Sequence, residues 1–150
     1  MCLTTTILCH NGDKPYTFTQ RRIEPMTQKT ILVVDDDPDI VLANRLVLES
    51  AGYAVEEADS GEACLAKMRA SRPDLVLMDV MMTNPLDGYY TTQQISDDPN
   101  LREIPIVMVS SITTSQYAAA FPTDQYLNIR EFISKPVEPE VLLEKVKQYL

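Results

Sequence analysis

The sequence predicts an α/β protein in which a doubly wound, five-stranded parallel sheet is covered by helices on both faces. Two observations carry that prediction. From Ile31 onward, short apolar runs alternate with amphipathic stretches of about 10 to 14 residues, the pattern of a βα repeat. Three of the runs, at 31–34, 75–78 and 106–109, are uninterrupted and rich in branched side chains, as strands covered on both faces require. These three are expected in the centre of the sheet. The run at 53–58 alternates instead and carries Glu56 and Glu57, while the last, Phe132 and Ile133, is very short. Both belong nearer the edges.

The helices between the strands have start and stop signals. Asp37 is placed to cap a first helix with Pro38 at its first position, and Gly52 sits just past its end. On a helical wheel Ile40, Ala43, Val47 and Ala51 form one stripe, expected to face the core, with Leu42 and Glu49 pointing away. Ser60, Gly61 and Glu62 open a second helix that runs through Arg69 and is closed by Pro73. Leu86, Asp87 and Gly88 lead into a third at 89–96. A fourth, less clearly patterned, falls at 114–121 and ends at Pro122. The fifth, at 139–149, has Val141, Leu142, Lys145, Val146 and Tyr149 at helical spacing. Five strands and five helices make a three-layer sandwich.

The 150 residues amount to one domain. A chain of this size buries roughly two thirds of its unfolded surface, so it needs neither disulfides nor a structural metal to hold a core. Its net charge of -9 argues against a nucleic-acid groove, which needs a basic face. Cys2, Cys9 and Cys64 form no Cys-x-x-Cys pair, which fits a reducing, cytoplasmic location. No apolar run approaches the roughly 20 residues of a membrane span, so no membrane insertion is expected. Residues 1–28 differ from the rest. Thr-rich and without periodicity, this stretch is broken by Asn11-Gly12, Pro15 and Pro25 and reads as a disordered leader. Met26 offers an alternative natural start. Over 1–25, Lys14, Arg21 and Arg22 against Asp13 and Glu24 give +1, so the remainder carries -10. Residues 29–150 are expected to form the domain, which would leave none for an attached effector.

In an open parallel sheet, ligands bind beyond the carboxyl ends of the strands. Those ends are chemically distinctive here: Asp35 and Asp36 after the first strand, Asp79 after the third, Ser110 after the fourth, Lys135 after the fifth. Three converging carboxylates repel by about 4 kcal/mol per pair at 4 Å and an effective dielectric near 20, so positive charge must offset them. Lys135 supplies one such charge, and a hard divalent cation, Mg²⁺ above all, suits oxygen ligands while keeping waters for an incoming phosphate. A carboxylate in such a site can attack phosphorus, with the cation, Lys135 and the Ser110 hydroxyl on the transferring oxygens.

Residues 29–150 resemble a response regulator receiver domain of two-component signalling, of the stand-alone, single-domain type. The resemblance rests on four segments in order. These are Ile31-Leu32-Val33-Val34-Asp35-Asp36-Asp37-Pro38, Pro73-Asp74-Leu75-Val76-Leu77-Met78-Asp79-Val80-Met81-Met82, Ile104-Pro105-Ile106-Val107-Met108-Val109-Ser110-Ser111 and Phe132-Ile133-Ser134-Lys135-Pro136. It implies a flavodoxin-like sheet of strand order 2-1-3-4-5. Asp79 would be the phosphoacceptor, and Asp35 and Asp36 would hold Mg²⁺ with it and with the main-chain carbonyl of Met81. Ser110 and Phe132 would take the switch positions and Lys135 would sense the phosphate, before a cis bond to Pro136. The implied partners are a histidine kinase or histidine phosphotransfer protein as donor and a downstream protein as output. The domain would not be a turnover enzyme.

Two stretches depart from the family pattern. The run Met82-Thr83-Asn84-Pro85-Leu86 is one residue longer than the usual Met-Pro-x-x-Asp-Gly arrangement, with its proline displaced. Between Ser110 and Lys135 the chain is about two or three residues longer than typical, and Asn128-Ile129-Arg130-Glu131 replaces the usual Gly-Ala-Asp-Asp. Met81 and Ile112, two residues past Asp79 and Ser110, are apolar and cannot orient an attacking water, so slow self-dephosphorylation is expected. Two rival readings keep the same fold. A phosphorylation-independent scaffold would not use the acids. A phosphohydrolase would want a general acid where this chain has Met81. Met78, Met81 and Met82 read as packing residues, Cys64 as a small buried one, and Leu42 as an exposed leucine on the helix that would meet the donor.

Overall fold

The computed structural model describes residues 5–10, 15–20, 27–111 and 127–150. In the N-terminal stretch, Thr5–His10 (β1) and Pro15–Gln20 (β2) pair antiparallel, with Ile7 opposite Phe18 and Cys9 opposite Tyr16. Strand pairing therefore replaces the expected absence of regular structure over those residues. Their content of Thr, Ile, Tyr and Phe, all favoured in strands, is the physical reason.

The domain itself runs β3 (Thr30–Val34), α1 (Pro38–Ser50), β4 (Ala54–Ala58), α2 (Gly61–Ser71), β5 (Leu75–Asp79), α3 (Asp87–Asp97), β6 (Ile106–Ser110), β7 (Ile129–Ser134) and α4 (Pro139–Tyr149). The sheet has the order β4-β3-β5-β6-β7, every pair parallel. Counted from β3, this is the expected 2-1-3-4-5, with the charged and short strands at its edges. Four helices are described. The one expected at 114–121 lies outside the described residues.

Strand alternation divides the core into two layers. Leu32, Val34, Val76, Met78, Ile106 and Met108 meet Cys64, Leu65 and Met68 of α2 and Ile95 of α3 on one face. Ile31, Val33, Leu75, Leu77, Val107 and Val109 meet Val41 and Leu48 of α1 and Leu142 and Val146 of α4 on the other. A fully buried side chain of this kind contributes about 1.5 to 3 kcal/mol of transfer free energy as an upper estimate, and because both faces of the sheet are covered, successive residues of a central strand are all apolar.

Local signals set the helix ends. Asp37 Oδ1 accepts from the Asp39 amide at 2.9 Å and Ser60 Oγ from Ala63 at 3.3 Å, capping α1 and α2. Gly52 takes φ 91° after α1, a conformation closed to most other residues. The buried stripe of α1 is rotated from the expected one. Val41 and Leu48 are buried and Ile40 and Val47 flank them, while Ala43 and Ala51 are exposed. Two large side chains remove more apolar area from water than two alanines, and that decides the rotation. Leu42 is exposed, as expected.

The last strand is longer than the two residues expected. Buried Asn128 donates from Nδ2 to the Ile104 carbonyl at 3.0 Å and accepts from the Ile106 amide, and a register shift between Ile106 and Val107 accommodates the extra residue Arg130. These bonds start β7 at Ile129, ahead of its apolar pair.

Cys64 is fully buried beside Met68, and burial pushes its thiol up to about 12. In the folded protein at pH 8, alkylation at Cys64 is expected to be at least about a hundredfold slower than in urea, because the reactive thiolate is nearly absent. Peptide mapping after timed iodoacetamide treatment checks this; equal rates in the two conditions would contradict the burial.

Candidate functional site

Each sequence-predicted group at the strand ends is held by its own local structure. Asp35 follows β3 and extends the ladder, its amide donating to the Ala58 carbonyl at 3.1 Å. Its Oδ1 accepts from the Asp37 amide at 2.9 Å, so the turn that starts α1 also aims this carboxylate. Asp79 ends β5, and its Oδ1 accepts from the Met81 amide at 3.2 Å. Lys135 follows β7 and is fixed by its amide, which donates to the Ser110 carbonyl at 2.8 Å. Its bond to Pro136 is cis.

These elements bring four charges together. Lys135 Nζ donates to Asp35 Oδ2 at 2.6 Å and to Asp79 Oδ2 at 3.1 Å. One carboxylate oxygen from each of Asp35, Asp36 and Asp79 lies within 4.8 Å of the others. Asp35 and Asp79 are buried and Asp36 is exposed. Ser110 is buried at the end of β6. Phe132 stands on β7 in register with Met108 and is 39% exposed, so it is a surface aromatic and not a core one.

Burial raises the Asp79 carboxyl above its ordinary range; Lys135 pulls it down without cancelling that rise, to which Asp35 adds. Burial works against the Lys135 ammonium, yet its bonds to Asp35 and Asp79 outweigh it and hold its pKa above the usual lysine value. The two groups shift the same way for different reasons: burial outweighs the lysine at Asp79, and the two acids outweigh burial at Lys135. Two carboxylates no farther apart than 4.8 Å repel by about 3 to 4 kcal/mol at an effective dielectric near 20, and a single ammonium cannot neutralise three of them. The donor set, hard oxygens with one face open to solvent at Asp36, fits a hard divalent cation.

One site-forming residue was legible only as a helix lead-in. A Cβ on Gly88 would fall 1.9 Å from the Asp79 carbonyl oxygen, and the Gly88 amide donates to the Val80 carbonyl at 3.1 Å. The first turn of α3 therefore rests directly on the main chain of Asp79. The lengthened loop before it closes by a bond from the Asn84 amide to Asp87 Oδ2 at 2.7 Å and places Leu86 at φ 70°. The Leu86-Asp87-Gly88 neighbourhood carries no signal of how closely two backbones approach.

Fold and site together define a doubly wound α/β protein with an acid cluster and a lysine at the carboxyl edge of its sheet. The response regulator receiver domain family matches residues 31–147. The chain belongs to that family and is thus a receiver domain of two-component signalling. It is 32% identical over 120 residues to the protein PilH of Pseudomonas aeruginosa, covering 80% of this chain and 96% of that one. It is 33% identical over 124 residues to the CAI-1 autoinducer sensor kinase/phosphatase CqsS of Vibrio cholerae, where the match covers 82% of this chain and only 18% of the relative. Among solved structures, the response regulator TrrA of Thermotoga maritima, determined in complex with Mg²⁺ and BeF, superposes with a TM-score of 0.70 at 28% identity, covering 82% of this chain and all of that one.

Proposed function

We propose that the chain accepts a phosphoryl group on Asp79 from the phosphohistidine of a histidine kinase or histidine phosphotransfer protein, and that the phosphorylated domain binds a different protein partner. The observation that carries this reading is Lys135 Nζ shared between Asp35 and Asp79 at 2.6 and 3.1 Å, with Asp36 alongside. An Asp79 carboxylate oxygen attacks phosphorus while the P–N bond to the donor breaks, and the imidazole leaves with the bonding pair and takes up a proton. Lys135, already beside the acceptor, transfers its hydrogen bond to a phosphoryl oxygen. The Ser110 hydroxyl donates to another. Asp35, Asp36, Asp79 and the Met81 main-chain carbonyl would hold Mg²⁺, which when bound supplies positive charge against the transferring oxygens. Recruitment of Ser110, with rearrangement of Phe132, biases a two-state equilibrium that the partner reads.

This reading makes the chain a cytoplasmic signalling module and not a turnover enzyme, since Met81 offers no general acid two residues past the acceptor. No helix among the described residues is long and apolar enough to cross a membrane. Incubation with Mg²⁺ and acetyl phosphate, followed by intact mass, is expected to show one added phosphoryl group in the wild type and none in Asp79→Asn. Absence of an adduct, also with a phosphohistidine donor present, would favour a scaffold that does not use the acids.

A further inference from the structure

We propose that the Met81 thioether is an oxidation site through which peroxides shorten the lifetime of the phosphoryl group on Asp79. The inference rests on the phosphoacceptor reading above. Of the methionines in the described residues, Met68, Met78 and Met108 have no exposure and Met82 packs against the core. Met81 is different at 39% exposed. The three residues that look alike in sequence, Met78, Met81 and Met82, are thus separated by their environments, and an oxidant in solution meets only one of them freely. Cys64, the described thiol, does not compete, because it is buried and its thiolate is disfavoured.

Met81 is also placed to matter. Its amide nitrogen lies 3.2 Å from Asp79 Oδ1, so its Cα, one bond of about 1.46 Å further on, is within about 5 Å of the acceptor. Its side chain therefore starts from a backbone atom close to the acceptor carboxylate. A thioether is a weak hydrogen-bond acceptor and offers little to a water approaching the acyl phosphate. Peroxide changes that: an S–O bond forms as the O–O bond breaks, sulfur is oxidised and the peroxide reduced in a two-electron step, and the second oxygen leaves as water. The sulfoxide is polar and accepts a hydrogen bond. It holds the attacking water as the new O–P bond forms and the Asp79 carboxylate departs, giving inorganic phosphate and the free acceptor.

The test uses the full chain treated with graded hydrogen peroxide, peptide mapping of each methionine, then loading with Mg²⁺ and acetyl phosphate and timed intact mass. Met81 is expected to oxidise well before Met68, Met78 and Met108, and the oxidised protein to lose its phosphoryl group several-fold faster than the untreated one. In Met81→Leu, peroxide should leave the lifetime at that variant's own untreated value. Met81→Gln, polar without oxidation, should have a shortened lifetime and no response to peroxide. A loaded protein whose lifetime ignores Met81 oxidation, or a Met81 no more reactive than the buried methionines, overturns this inference and leaves the phosphoacceptor reading standing. Failure of the untreated protein to form any adduct overturns both.

Discussion

Replacing Lys135 with Met is expected to lower the stability of the metal-free protein by about 3 kcal/mol and to abolish efficient phosphoryl uptake. The lysine side chain is 15% exposed and its two partners 5% and 7%, so removal leaves buried charge without a counterion, and water relieves only part of it. The figure sits at the lower end for a broken buried pair because the site is open on the Asp36 side. Urea unfolding in EDTA and again in Mg²⁺ measures it. The difference from wild type should be largest in EDTA and narrow in Mg²⁺, where a cation offsets the same carboxylates. A variant as stable as wild type in EDTA would refute the central role given to this ammonium.

The pH dependence has a definite sign. Asp79 is raised in the folded state, so between its ordinary and its raised value the folded chain binds more protons than the unfolded one, and its contribution to stability grows as pH falls through that window. Lys135 is also raised, so what it adds is present below the ordinary lysine value and is lost as pH rises through the raised one. In Lys135→Met the second dependence disappears and the first strengthens.

Gly88→Ala is expected to cost about 2 to 3 kcal/mol, against the roughly 1 kcal/mol that alanine gains over glycine inside a helix. The added Cβ would lie 1.9 Å from the Asp79 carbonyl oxygen and 2.9 Å from the Val80 Cα, both backbone atoms at the end of a central strand. Neither can move without shifting α3 or the acceptor, so phosphoryl uptake should fall along with stability. Gly61→Ala provides the comparison. Its Cβ would meet the Thr91 Oγ1 at 2.1 Å, a side-chain atom that can turn away, and its cost should be smaller. Paired urea titrations with acetyl phosphate labelling distinguish the two sites. A Gly88→Ala protein with wild-type midpoint and labelling would show that α3 does not rest on the acceptor strand.

The legible features were those in which one residue type has one physical consequence. Continuous apolar runs in β3, β5 and β6 announced burial on both faces, and Asp37, Pro38 and Gly52 bracketed α1 as capping chemistry requires. The burial of Cys64 was legible too. The rotation of α1 onto Val41 and Leu48 was not, because its wheel offers competing stripes and only the facing sheet chooses between them. Neither was the early start of β7, which depends on a bond from Asn128 to Ile104, a residue 24 positions away.

By itself, then, the sequence determined the layers, the strand ends and the identity of the groups delivered to one edge, since periodicity and capping act over a few residues. Only the tertiary structure decided how those groups meet. Lys135 reaches Asp35 across 100 residues of chain and Asp79 across 56, and which acid shares the ammonium is set by the angles at which three separate strands end. The approach of Gly88 to Asp79 and the separation of Met81 from its buried neighbours have the same origin. Distances between segments remote in sequence depend on how whole layers pack, and no local pattern encodes them.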